Sequence, residues 1–127
     1  MRLARNKYGN RKINVGGNRY DSAKEARRHQ ELKLLERAGL ISDLQTQVKF
    51  VLIPAQREPD TIGPRGGRKP GRLLERELAY VADFVYMEDG KQVVEDVKGY
   101  KGGNAYAIFS IKRKLMLWVH CIKVRET

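Results

Sequence analysis

Asp83, Asp96 and Lys98, within the stretch AYVADFVYMEDGKQVVEDVKGY, are the residues whose types and spacing suggest chemistry. Two β-branched-rich runs flank Asp89-Gly90, a dipeptide that favours a tight hairpin turn. Folding the chain back there sets Asp83 directly opposite Asp96. Like charges placed opposite one another normally destabilise a strand pair. Alternation puts Val81, Asp83 and Val85 on the face shared by Val94, Asp96 and Lys98. Tyr80, Ala82, Phe84 and Tyr86, with Val93, Glu95 and Val97, take the other face, which excludes Glu95 from the cluster.

A divalent cation between the two carboxylates would make sense of their apposition. Mg2+ is a hard ion held by one or two carboxylates, with waters and phosphate oxygens completing its shell. It cancels the repulsion, polarises a phosphodiester and lowers the pKa of a bound water. Lys98 reaches the same spot, where it can orient the water or neutralise charge growing in the transition state. The plainer alternative is two solvated edge-strand aspartates with a lysine ion pair of little energetic weight. The residue types alone leave both readings open.

A helix must bring any further acid. Ser22-Ala23-Lys24-Glu25 fits a capping box, with Ser at the N-cap and Glu at N3. The helix runs on through ARRHQELKLLERA and stops at Gly39, a residue suited to the left-handed cap. Leu32, Leu34, Leu35 and Ala38 give its last two turns a wide apolar arc. The first two turns are polar nearly all round and are expected to stay out of a dry core. Glu25 falls beside Leu32 at the margin of that arc and points along the sheet-facing edge. Capping explains a glutamate there without chemistry, so Glu25 has two readings. Glu31, inside the arc, is the reserve carboxylate.

Further on, Gln47 to Ile53 reads as a strand ended by Pro54. Residues 54–72 read as a basic Gly/Pro-rich loop, and 73–87 with 91–98 as the hairpin. Tyr106 to Leu117 reads as a second helix with Ile108, Ile111 and Leu115 at helical spacing. Trp118 to Val124 alternates like a final strand, with Cys121 at an ordinary strand position. The order is α-β-β-β-α-β. A helix before the last strand implies a crossover and a mixed sheet, an α/β fold. One domain over 20–127 follows a basic arm, residues 1–19, in which no regular element is expected.

The chain has 26 Lys+Arg against 15 Asp+Glu, net +11, which implies a polyanionic partner, nucleic acid before an anionic membrane surface. Candidate phosphate contacts are Arg5, Lys7, Arg11 and Lys12 in the arm, Arg65, Arg68 and Lys69 in the loop, and Lys112, Arg113 and Lys114 on the second helix. All would be sequence-independent. A single cysteine rules out an intrachain disulfide and a Cys-based metal framework. His29 and His120 lack metal-ligand spacing. Gly63 to Arg68 lacks the Lys-Ser/Thr ending of a P-loop, so no nucleotide cofactor is expected. No apolar run approaches the ~18–20 residues that cross a membrane, and the N-terminus lacks a signal-peptide core. The expected location is cytoplasmic, with no membrane association.

Asp83 followed by Asp96-Val97-Lys98 on the adjoining strand resembles the PD-(D/E)XK nuclease motif. Ser22-x-x-Glu25 resembles the first-helix glutamate of many members, and the element order resembles their restriction-endonuclease-like core. NRYDSAKEARRHQELKLLERAGLISDLQTQVKF, YVADFVY and VVEDVKGY together resemble a phage and prophage family described only as a domain of unknown function, over roughly residues 6 to 124. The resemblance implies Mg2+- or Mn2+-dependent hydrolysis of DNA phosphodiesters. Asp83, Asp96 and the Val97 carbonyl would be metal ligands and Lys98 the catalytic lysine. Glu25 would be a metal ligand or water-positioning acid. Ala82 stands where the motif's proline would be, and Asp96 is one methylene shorter than Glu. By analogy with small Holliday junction resolvases, the resemblance implies a homodimer acting on branched DNA, in the cytoplasm of a bacterial host if phage-encoded. A general or nicking nuclease would use the same site, and a non-catalytic nucleic-acid-binding protein is the alternative of another class.

Overall fold

The structure is a computed structural model and describes residues 13–15, 18–20, 22–99 and 101–127. In chain order, β1 (Ile13–Val15) and β2 (Asn18–Tyr20) precede α1 (Ala23–Arg37) and β3 (Ser42–Ile53). Short strands β4 (Gln56–Arg57), β5 (Thr61–Ile62), β6 (Arg68–Lys69) and β7 (Leu73–Glu75) follow. Then come β8 (Leu78–Glu88), β9 (Lys91–Asp96), α2 (Gly103–His120) and β10 (Arg125–Glu126). The central sheet has the order β10-β9-β8-β3, with β10 parallel to β9 and the other pairs antiparallel. The fold is therefore α/β with a mixed sheet, as the element order requires.

Local signals place most of these elements. Ser22 Oγ accepts from the Glu25 N–H at 3.1 Å, capping α1 as its Ser-x-x-Glu pattern predicts. At the other end Gly39 takes φ +77, and its N–H and that of Leu40 donate to the Glu36 and Leu35 carbonyls. Both bonds belong to a Schellman stop. Asp89 and Gly90 both have positive φ, the type I′ combination, and fix the β8–β9 register at Val85↔Val94 and Phe84↔Glu95. That ladder ends at Phe84↔Glu95, and Asp83 and Asp96 follow just beyond its last pair.

One core packs α2 against the sheet: Phe109 and Met116 bury against Leu52, Tyr80, Ala82, Val85, Val94 and Val124. A second packs Leu32 of α1 with Ile41, Phe84 and Tyr86. Strict alternation on β8 therefore fails. Tyr80 and Ala82 join the α2 side with Val85, whereas Phe84 and Tyr86 face α1. The parity slips at Asp83, opposite Gln47 of β3, whose φ is +53.

Several boundaries differ from the sequence reading. The presumed final strand over Trp118 to Val124 is not one. α2 continues to His120, and Cys121 is its left-handed cap at φ 57, exposed rather than in a strand. Only Arg125–Glu126 pairs with β9. Alternation in WVHCIKV imitated a strand, but the helix propagates because its inward row is Tyr106, Phe109, Arg113 and Met116. Ile108 and Ile111, whose helical spacing marks this element in the sequence, are exposed. The polar start of α1 is also the reverse of expectation: Glu25, Ala26 and His29 are buried and Leu34 is 62% exposed. Paired charges, described below, let that end enter the core.

Two further segments are more regular than composition suggests. In the basic arm β1 and β2 pair antiparallel, Ile13↔Tyr20 to Val15↔Asn18. Residues 54–72, expected as a loop, form a ribbon instead: β4 pairs with β7 and β5 with β6. A Cβ on Gly71 would lie 1.8 Å from the Glu58 carbonyl oxygen, so only glycine lets the two sides close. Among the described residues no helix is long and apolar enough to cross a membrane.

Candidate functional site

Four of the sequence-selected residues meet at the slip on β8. Asp83 Oδ2 accepts from the Val97 N–H at 2.8 Å, which ties β8 to the end of β9. Asp96 is 6% exposed and is held on both oxygens. Tyr80 donates its hydroxyl to Oδ2 at 2.5 Å, and the Lys98 ammonium lies 3.1 Å from Oδ1. Burial, then the facing Asp96, pushes the Asp83 carboxyl up to about 8. Like charges this close cannot both ionise cheaply, so Asp83 gives up its proton less readily than a free carboxyl.

Lys98 is fixed from three sides. Its Nζ sits 3.6 Å from the Phe109 ring centroid, a cation–π contact with α2. Its N–H donates to the Thr127 carbonyl at 2.8 Å, and its own carbonyl accepts from Lys24 Nζ at 2.6 Å. A short parallel rung to β10, with the Thr127 N–H donating to the Asp96 carbonyl at 2.9 Å, holds the same corner. The lysine is thereby presented to Asp96 by a rigid frame.

Glu25 enters from α1 and is 5% exposed. Its backbone N–H is what Ser22 caps, while its Oε1 accepts from Gln47 Nε2 at 3.0 Å. The same Nε2 lies 3.4 Å from Asp83 Oδ1. Capping and participation in the site are therefore compatible, because they use different atoms of Glu25. Glu31, the reserve carboxylate, is on the surface, ion-paired with Arg28 at 3.0 Å.

Glu95 does point away, as alternation requires, into a second charged centre. It is fully buried, and Arg28 bridges it with Nε to Oε2 at 2.8 Å and a terminal nitrogen to Oε1 at 2.9 Å. The Tyr86 hydroxyl donates to Oε1 at 2.8 Å. The Glu95 partnership drives the Arg28 pKa upward and fastens the polar start of α1 to the sheet.

Of the predicted phosphate contacts, Arg5, Lys7, Arg11 and Lys12 lie outside the described residues. Arg65, Arg68 and Lys69 lie on the exposed β5–β6 ribbon, Arg68 ion-paired with Asp60. On α2, Arg113 turns inward to Glu126 at 3.4 Å, Lys112 is half-buried and Lys114 is exposed. Tyr80 and Gln47 were not singled out in the sequence. Tyr80 is legible afterwards as a polar-tipped aromatic three residues before Asp83, whereas nothing in the sequence announces the positive φ of Gln47.

Among the described residues, no three His, Cys, Asp or Glu side chains are gathered closely enough to hold a metal. The donor set is instead two neighbouring carboxylates, Asp83 and the Lys98-paired Asp96, and these hard oxygens fit Mg2+ or Mn2+ with water completing the shell. Glu25 is joined to them through Gln47. The family described as protein of unknown function (DUF1064) matches residues 5–125. No curated protein and no solved structure matches the chain.

Proposed function

The chain belongs to the DUF1064 family of proteins of unknown function, and from its site geometry we propose that it is a metal-dependent nuclease acting on DNA phosphodiesters. The observation that carries this reading is the closeness of Asp83 to Asp96, whose charge helps raise the Asp83 pKa, with the Lys98 ammonium 3.1 Å from Asp96. Asp83, Asp96 and the Val97 carbonyl would hold Mg2+ or Mn2+. The bound ion would supply Lewis acidity toward a phosphate oxygen and an acidified water. Lys98, gripped by Phe109 and by two backbone contacts, is placed to orient water or to balance charge on the phosphate. Glu25 supplies a further acid through Gln47.

Recognition in this reading is electrostatic. The net charge of +11 favours a polyanion, and the β5–β6 ribbon offers Arg65, Arg68 and Lys69 on a two-stranded element slim enough for a groove. Such contacts read shape rather than sequence, which suits branched DNA such as a four-way junction. Two copies would act together on such a substrate. The test is a panel of four-way, flap, single-stranded and duplex DNAs with Mg2+ or Mn2+. Preferential cleavage of the four-way substrate supports the full reading, and equal rates on all four leave a general nuclease.

One observation favours a second reading. Asp96 is satisfied internally by Tyr80 and Lys98, as in a structural ion pair. A non-catalytic nucleic-acid-binding protein would retain the charge and need no metal. It would bind the same DNAs in a salt-dependent way and cut none of them.

A further inference from the structure

Gln47 has left-handed backbone, φ +53, in the interior of β3, although pairing is regular on either side, Thr46↔Phe84 and Val48↔Ala82. A residue with a Cβ is rarely held in that region, and such outliers persist where the surroundings over-determine them. The side chain supplies a reason. Nε2 donates to Glu25 Oε1 at 3.0 Å and reaches Asp83 Oδ1 at 3.4 Å. An amide nitrogen carries two hydrogens and no charge, so one carboxamide can serve two carboxylates without neutralising either. A lysine there would compete with a cation, and a glutamate would add a third repulsion. The same turn coincides with the parity slip that leaves Asp83 between the two faces of β8.

We infer that Gln47 is a positioning residue that ties Glu25 of α1 to Asp83, so that the carboxylate beside Asp96 is held in place for a divalent cation. The inference rests on the nuclease reading. It assigns Gln47 no contact with the reacting phosphate.

The test is calorimetric titration of Mn2+ into the full chain, with thermal unfolding and steady-state cleavage, for wild type, Q47A and Q47G. Glycine adopts positive φ freely, so Q47G should keep or raise the melting temperature. It should nonetheless weaken Mn2+ binding about tenfold, the scale found for residues that orient metal ligands, and lower kcat more than it raises KM. Q47A should show the same loss of affinity and carries the comparison if Q47G does not fold. In the Q47A background, E25A should weaken Mn2+ binding less than it does in wild type. Wild-type Mn2+ affinity and kcat in both Gln47 variants would overturn the inference alone. A wild-type chain that neither binds Mn2+ nor cleaves DNA overturns the nuclease reading and this inference with it.

Discussion

The Tyr80 hydroxyl donates to Asp96 Oδ2 at 2.5 Å from within the core that packs beneath α2. A carboxylate of the proposed site is thus oriented by a residue that also fills the hydrophobic interior, with its ring 6.1 Å from that of Phe109. Y80F keeps the ring and removes the donor to a buried charged group. The expected cost is about 1.5–3 kcal/mol of stability, read by urea unfolding. Metal-dependent cleavage should fall as well, because Asp96 gains freedom to rotate toward Lys98. Unchanged stability would mean that the bond contributes nothing.

The Asp83 carboxyl sets a pH dependence. Its ordinary value is 3.8, and burial with Asp96 opposite raises it to about 8 in the folded chain. The folded state therefore binds a proton that the unfolded state has released, and stability falls as pH rises between those values. Its influence flattens below 3.8 and above about 8. D83N should remove this slope from the melting temperature, leaving a flatter profile than wild type. Mg2+ or Mn2+ should restore wild-type stability most at the alkaline end.

Ser22 and Glu25 separate the two roles that the first turn of α1 combines. S22A removes the cap on the Glu25 N–H and should cost about 0.5–2 kcal/mol, with cleavage by the folded fraction retained. E25Q leaves the cap intact and should depress cleavage with little change in the melting temperature. Paired unfolding and activity assays check both. Equal activity losses in the two variants would contradict the assignment.

Glu95 and Arg28 hold the helix rather than the chemistry. R28A strands a fully buried carboxylate and should destabilise the chain by about 3–5 kcal/mol in denaturant titration. Cleavage per folded molecule should persist, since Glu95 faces away from Asp83 and Asp96.

What was legible in the sequence was local chemistry. Asp89-Gly90 dictated a turn type, and the turn dictated the register that runs to Phe84↔Glu95 and leaves Asp83 and Asp96 at the ladder's end. Ser22 and Gly39 bounded α1 for the same reason. The failures came where tertiary contacts overrode pattern. Glu25 and His29 looked too polar for a core, yet Glu25 is met by Gln47 and the neighbouring Arg28 clamps Glu95. The row WVHCIKV alternates like a strand, but α2 carries on because Met116 is already packed on the sheet. Ideal alternation on β8 missed the slip at Asp83, which meets the left-handed Gln47 from thirty-six residues away in the sequence.

The most direct measurement is cleavage of a labelled four-way DNA with Mg2+ or Mn2+ by wild type, D83N and D96N, beside low-salt binding of the same DNA. The account predicts metal-dependent cutting by wild type, its loss in both variants, and binding retained or tightened. DNA left uncut by wild type under both metals, or cut equally by the asparagine variants, would contradict it.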